Sequence, residues 1–405
     1  MKDKILDKLI KEEVKRQQKT INLIPSENYA SPEILEIMGS VLMNKYSEGY
    51  PGKRYYPGNK IYDQIELLAQ ERIRKLFNLG KNWHINVQPY SGSPANLAVY
   101  FSLIDFGESI MGMRLDAGGH LTHGHRVNFS GRAYKAIQYG VDLGDGLLNY
   151  DEIERLAEQR QPKIIVSGAT AYPREIDFKK MGKIARRIGA YHVADISHIA
   201  GLVSAGEHPS PFNDCDVVTL TTHKTLRGPR AAIIICREDL ADRIDRSVFP
   251  GIQGGPHNNQ IAAIALMAFQ NSQPDFKSYQ KQVLKNAQIL SETLQDKGIK
   301  LVTNGTDNHL MIIDLKSLDL SGKEAEKILE QASITANRNS VPGDMSPQNP
   351  SGIRLGTPAI TTRGMKEGEV GQIAEWISDL LLKKSKSAAV KKQVEVLCNK
   401  FPLEY

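Results

Sequence analysis

The chain has 405 residues, 40% of them hydrophobic, with 33 glycines and 19 prolines, enough for a large core and naturally for two domains. Its net charge of +6 is mild and spread out, and no clustered basic stripe marks a nucleic-acid binder. Its three cysteines, Cys215, Cys236 and Cys398, are too scattered for a disulfide framework or a paired-cysteine metal site, and they fit a reducing setting.

The first predicted element is a helix to about Gln18. It alternates Lys and Glu with Ile and Leu and lacks the apolar stretch of a secretory signal. No run approaches the roughly 18 apolar residues of a membrane span, so the expected location is the cytoplasm. Further helices are predicted from Pro32 towards Tyr46 and from Tyr62 to Phe77. From Ile85 short apolar runs alternate with amphipathic helices, the pattern of a mostly parallel sheet flanked by helices. Predicted strands are Lys163 to Ser167, Tyr191 to Ile196, Asp216 to Thr221 and Ala231 to Cys236; predicted helices are Pro94 to Leu103, Tyr150 to Gln159 and Phe178 to Ile188. A long helix from about Asp275 to Lys297 leads to a second region with a strand at Leu310 to Leu315, a helix at Gly322 to Gln331 and two C-terminal helices. The expected division is an N-terminal helical arm at 1–30, a large domain at 31–277 and a small α+β domain at 278–405.

Several segments carry chemistry. The strand ending at Thr221 runs into Thr222-His223-Lys224 and then a Gly228-Pro229 turn. Ligands of open α/β folds sit beyond the carboxyl ends of strands, where a lysine can condense with an aldehyde cofactor. A solvated loop lysine explains that segment alone equally well. Asp195 ends another strand and suits the partner of a pyridine nitrogen, or a plain turn aspartate. Ser91-Gly92-Ser93-Pro94 opens a helix whose free N–H groups suit a phosphate, or an ordinary serine cap.

His120, His123 and His125 lie in a glycine-rich loop with no cysteine or acidic cluster to complete a metal site, and none is expected. His120 suits stacking on a flat cofactor. Glu48, among Tyr46, Tyr50, Tyr55 and Tyr56, is a candidate proton carrier in a loop that would also suit an interface. Arg354 follows a glycine in an apolar stretch and can hold a carboxylate through its planar fork, or a salt bridge.

Together these segments resemble serine hydroxymethyltransferase, of the aspartate-aminotransferase group of pyridoxal-phosphate enzymes (fold type I). The resemblance runs nearly end to end. It is carried by Thr221 to Arg230, Phe249 to Pro256, Thr306 to Leu310 and Gly118 to Gly124. It implies an α/β transferase fold and transfer of the serine hydroxymethyl carbon to tetrahydrofolate, giving glycine and 5,10-methylenetetrahydrofolate.

Lys224 matches the Schiff-base lysine, Asp195 the partner of the ring nitrogen and His120 the stacked residue. Ser91, Gly92 and Ser93 match the phosphate cradle, with Thr170, Thr221, His223 and His198 also about the cofactor. Tyr46, Gly254 and Gly255 are expected to reach the phosphate from a neighbouring subunit, so at least a homodimer is implied. Ser26, His198 and Arg354 match binders of the substrate carboxylate and its surroundings. Glu48 matches the acid-base residue near the serine hydroxyl, with Tyr56 beside it. Tyr55, Leu115, Gly119, Leu121 and Asn339 match folate contacts.

The chain departs from the common pattern at Pro57-Gly58-Asn59, Tyr90, Thr170, Ser197 and Ala231-Ala232. The first of these lies beside the folate-facing tyrosines. Competing readings are a threonine-type aldolase or transaldolase, and a transferase using another pterin. Neither a nucleic acid nor a membrane is an expected partner.

Overall fold

The computed structural model describes residues 2–344 and 349–404. Two compact units are present: Ala30–Asp142 with Leu147–Gln280, and Met1–Tyr29 with Leu143–Gly146 and Lys281–Tyr405.

The larger unit is built on a seven-stranded sheet. Its strands are β1 (Trp83–Asn86), β2 (Ser109–Met113), β3 (Lys135–Tyr139), β4 (Ile164–Ser167), β5 (Tyr191–Asp195), β6 (Val217–Thr221) and β7 (Ala232–Arg237). Their spatial order is β1-β7-β6-β5-β4-β2-β3. The five strands from β6 to β3 pair in parallel, and β7 runs antiparallel to both β6 and β1. Strands β4, β5 and β6 are buried along nearly their whole length, which is why they read as apolar runs without alternation. Ile164, Val166, Val193, Val217 and Ile234 pack with Val99, Tyr100 and Leu103 of the helix Gly92–Leu103. Each such aliphatic side chain contributes about 1.5–3 kcal/mol by leaving water.

The predicted strands and helices lie within a residue or two of their observed positions, with one exception. The helix from Pro32 stops at Met38. Gly39 closes it, and Ser40 opens a separate single turn, Val41–Asn44, by accepting the Leu42 N–H. Tyr46 therefore lies outside any helix.

The second unit carries a three-stranded antiparallel sheet of β8 (Leu310–Asp314), β9 (Asn337–Asn339) and β10 (Gly352–Gly356), in the order β8-β10-β9. Ile21–Asn22 pairs in parallel with Ile334–Thr335. Its core includes Ile21, Leu23, Met311, Ile313, Ile353, Leu355, Ile373 and Ile377. All three cysteines are buried, Cys215 and Cys236 in the larger unit and Cys398 in the smaller. Among the described residues no helix is long and apolar enough to cross a membrane.

Candidate active site

The loop after β6 is fixed by its own carbonyls. Thr222 O accepts the Gly228 N–H (2.7 Å), Thr225 O accepts Gln280 Nε2 (2.7 Å) and Leu226 O accepts Asn271 Nδ2 (2.8 Å). The Thr225 hydroxyl donates to His198 O at 3.0 Å and accepts the Gly201 N–H at 2.9 Å, which ties this loop to the one after β5. Lys224 thus leaves a rigid backbone with a half-buried side chain. Beside it, burial and the charges of Lys224 and Arg230 push the His223 imidazole down to about 3. His223 Nδ1 is buried with no hydrogen-bond partner among the described residues.

Asp195 ends β5 and is only 8% exposed. Its Oδ2 accepts Asn96 Nδ2 at 2.9 Å and His123 Nε2 at 3.1 Å, and its Oδ1 accepts the Ser197 N–H at 3.0 Å. Burial pushes this carboxyl up, but the hydrogen bonds of His123 and Ser197 outweigh it and hold the group well below the usual carboxylate range. The tautomer of His123 follows from its partners: Nδ1 accepts the His120 N–H, so Nε2 carries the proton given to Asp195.

Thr122 links the network onward. It receives Asn96 Nδ2 at 2.8 Å, and its hydroxyl donates to His120 Nδ1 at 2.7 Å. Burial and the proximity of His123 push His120 down to about 4, so its ring is neutral at physiological pH. His123, Asn96 and Thr122 are functional candidates that the sequence reading left aside. The available signals were the position of His123 three residues after His120 and that of Asn96 one turn into the helix behind Ser91.

The helix Gly92–Leu103 begins with Ser91, whose side chain makes no capping hydrogen bond. Gly92 lies against Thr221: a Cβ there would come within 2.8 Å of Thr221 Cγ2. The helix start and the end of β6 are thereby adjacent. The Thr221 hydroxyl donates to Ser197 O at 3.3 Å, and the Thr170 N–H donates to Gly118 O at 2.8 Å. Gly119 presses on the backbone, since a Cβ there would overlap Met113 O. Leu115 lies in the turn before it, and Leu121 is partly exposed beyond His120.

Tyr46, Glu48, Tyr56, Gly254 and Gly255 gather with one another. The Tyr46 and Tyr56 rings are 5.1 Å apart. A Cβ on Gly255 would strike the Tyr46 ring at 2.9 Å, and one on Gly254 would lie 3.2 Å from Glu48 Oε1. Tyr55 is 74% exposed and contacts Phe249 by its edge. Arg54 anchors this segment: it donates to Ser47 O (2.8 Å), Gly49 O (2.6 Å), Asp63 (2.8 Å) and Glu66 (2.6 Å).

Ser26, Asn339 and Arg354 belong to the other unit. Arg354 is central in β10, where burial pushes its guanidinium down to about 10 and its Nε donates to Asn337 Oδ1 at 3.1 Å. Pro25 packs on Gly356, and the Gly356 N–H donates to Leu23 O at 2.8 Å, which lays the segment before Ser26 against the end of the strand. Asn339, at the end of β9, pairs with Gly352 of β10.

A model of the serine hydroxymethyltransferase family matches residues 1–377. The chain belongs to this family. As a serine hydroxymethyltransferase family member it is a pyridoxal-phosphate-dependent one-carbon transferase of fold type I. Its residues fit that cofactor. A phosphate needs amide donors, and the helix at Gly92 starts without a side-chain cap. A pyridine nitrogen needs a lasting anion, and Asp195 is one. An aldehyde needs an amine on a fixed backbone, and Lys224 offers it. Next to Lys224, His223 Nδ1 is buried with no hydrogen-bond partner among the described residues, which suits a polar group of the cofactor.

Proposed function

We propose that the chain reversibly transfers the hydroxymethyl carbon of serine to tetrahydrofolate, yielding glycine and 5,10-methylenetetrahydrofolate. The observation that carries this reading is the buried, ionised Asp195, clamped by Asn96 and His123 at the end of β5. When bound, pyridoxal phosphate supplies an electron sink for the amino-acid α-carbon.

In this reading Lys224 anchors the cofactor aldehyde, and Asp195 keeps a proton on the ring nitrogen. Ser91, Gly92 and Ser93 give amides and hydroxyls to the phosphate, with Thr170, Thr221, His198 and His223 around the ring. His120 stacks as a neutral imidazole and so adds no charge that would oppose a protonated ring. Arg354 takes the substrate carboxylate, a partner that offsets the cost of burying its guanidinium. Ser26 and His198 orient the amino acid. Glu48 holds or moves the proton at the serine hydroxyl oxygen, with Tyr56 beside it. Tyr55, Leu115, Gly119, Leu121 and Asn339 receive the folate. We infer at least a homodimer, in which Tyr46, Gly254 and Gly255 complete the site of the neighbouring copy.

The test is glycine formation from serine by the cofactor-loaded protein, with and without tetrahydrofolate. Strong dependence on tetrahydrofolate supports the transferase. Equal rates without it, or cleavage of threonine-like substrates alone, point to an aldolase. Response only to a different pterin would trace to Pro57 and Asn59; Asn59 donates to Tyr56 O at 2.8 Å and so shapes the folate-facing segment.

A further inference from the structure

We infer that Tyr90 couples the cofactor sites of neighbouring copies. The inference rests on the reading above, in which Tyr46 and the Gly254-Gly255 loop serve a neighbour's site. Tyr90 immediately precedes Ser91, the first residue of its own chain's phosphate cradle. Its N–H donates to Gln253 Oε1 at 3.1 Å, and Gln253 Nε2 donates back to Gln88 O at 2.9 Å. Its hydroxyl donates to Gly255 O at 2.8 Å. Its ring stacks on His257, with centroids 4.1 Å apart and planes inclined by 7°.

The segment gripped in this way in turn grips Tyr46. Gly255 lies under the Tyr46 ring. Asn258 brackets Tyr46 on both sides, donating to Lys45 O (2.8 Å) and accepting the Ser47 hydroxyl (2.7 Å). An unbroken run of hydrogen bonds and ring contacts therefore joins a cradle that binds phosphate in one site to the residues that finish another. A phosphate that settles Ser91 settles Tyr90, and through it the loop offered to the neighbour. Such a path is bidirectional, so each site favours occupancy of the other.

The experiment is a titration of the cofactor-stripped full chain with pyridoxal phosphate, followed by the visible absorbance of the bound form, with sedimentation of the same samples. The wild type is expected to give a sigmoidal curve, the second binding favoured by about fivefold or more. Tyr90→Phe, which deletes only the hydroxyl, is expected to give a hyperbolic curve. His257→Ala removes the stack at an exposed position and should also flatten the curve; it carries the test if Tyr90→Phe folds poorly. A merely structural role for Tyr90 would shift the half-saturation point or the thermal midpoint and leave the steepness unchanged. A dimer that titrates hyperbolically as wild type, or variants as steep as the wild type, would overturn the coupling alone. A monomer that still binds the cofactor fully would overturn the shared-site reading and the coupling with it.

Discussion

Asp195 shows how a few contacts set the charge of one residue. Asn96 and His123 both approach Oδ2, and the backbone of Ser197 takes Oδ1, so the anion is satisfied from three sides. Asp195→Asn removes the charge and keeps the shape. The loaded variant is expected to lose about 10²–10³-fold in kcat, read by steady-state kinetics. His120 and His223 have the opposite character: burial depresses both, to about 4 and about 3. Above the ordinary histidine range they are neutral in folded and unfolded chains alike. As pH falls from about 6.5, the unfolded chain takes up protons that the folded one refuses, so stability is lost down to the folded values. The urea midpoint of the cofactor-free protein should therefore fall between pH 6.5 and 4, and less steeply in His120→Asn. Lys224 and Asp195 stood out as candidates in the sequence because they lie at or just beyond strand ends, where ligands of open α/β folds sit. His123 was not, since three histidines in a glycine-rich loop give no sign of which one faces a buried carboxylate.

The segment from Tyr46 to Tyr56 owes its shape to ions beneath it. Arg54 and Glu66, with side chains 4% and 1% exposed, form a pair that shares Asp63 and Gln88. Burial raises the Glu66 carboxyl and Arg54 opposes it. Arg54→Met strands Glu66 and should cost about 3–5 kcal/mol, seen as a lowered denaturant midpoint, while Arg54→Met with Glu66→Leu should recover much of the loss. Gly119→Ala is a steric change, because the new methyl meets Met113 O; about 1–3 kcal/mol of destabilisation is expected from equilibrium unfolding. Strands β2 and β3 were not picked out in the sequence. Ser-Ile-Met-Gly-Met and Lys-Ala-Ile-Gln-Tyr are short and poor in β-branched residues, and only their pairing makes them strands. The break at Gly39 was equally hidden, since apolar spacing continues past it.

At the scale of the whole molecule, sharing of sites between copies can be tested by mixing inactive variants. Glu48 lies against Gly254 and Tyr46, so in the proposed dimer it would serve the neighbour's site while Lys224 serves its own; a refolded mixture of Glu48→Gln and Lys224→Ala should then regain about a quarter of the wild-type sites. No recovery from mixed dimers would show that each chain works alone. The parallel sheet was readable from apolar runs alternating with helices. The pairing of Ile21–Asn22 with Ile334–Thr335 was not, because it joins distant parts of the chain and leaves no local pattern.

The burial of every thiol has a practical consequence. Burial raises the Cys215, Cys236 and Cys398 thiols above their ordinary range, so the folded protein should be inert to a disulfide reagent. Colour released by such a reagent then becomes a clock for opening. With Cys398→Ser the clock reads the larger unit, and with Cys215→Ser and Cys236→Ser it reads the smaller one, so the opening of each unit can be timed separately without adding a label.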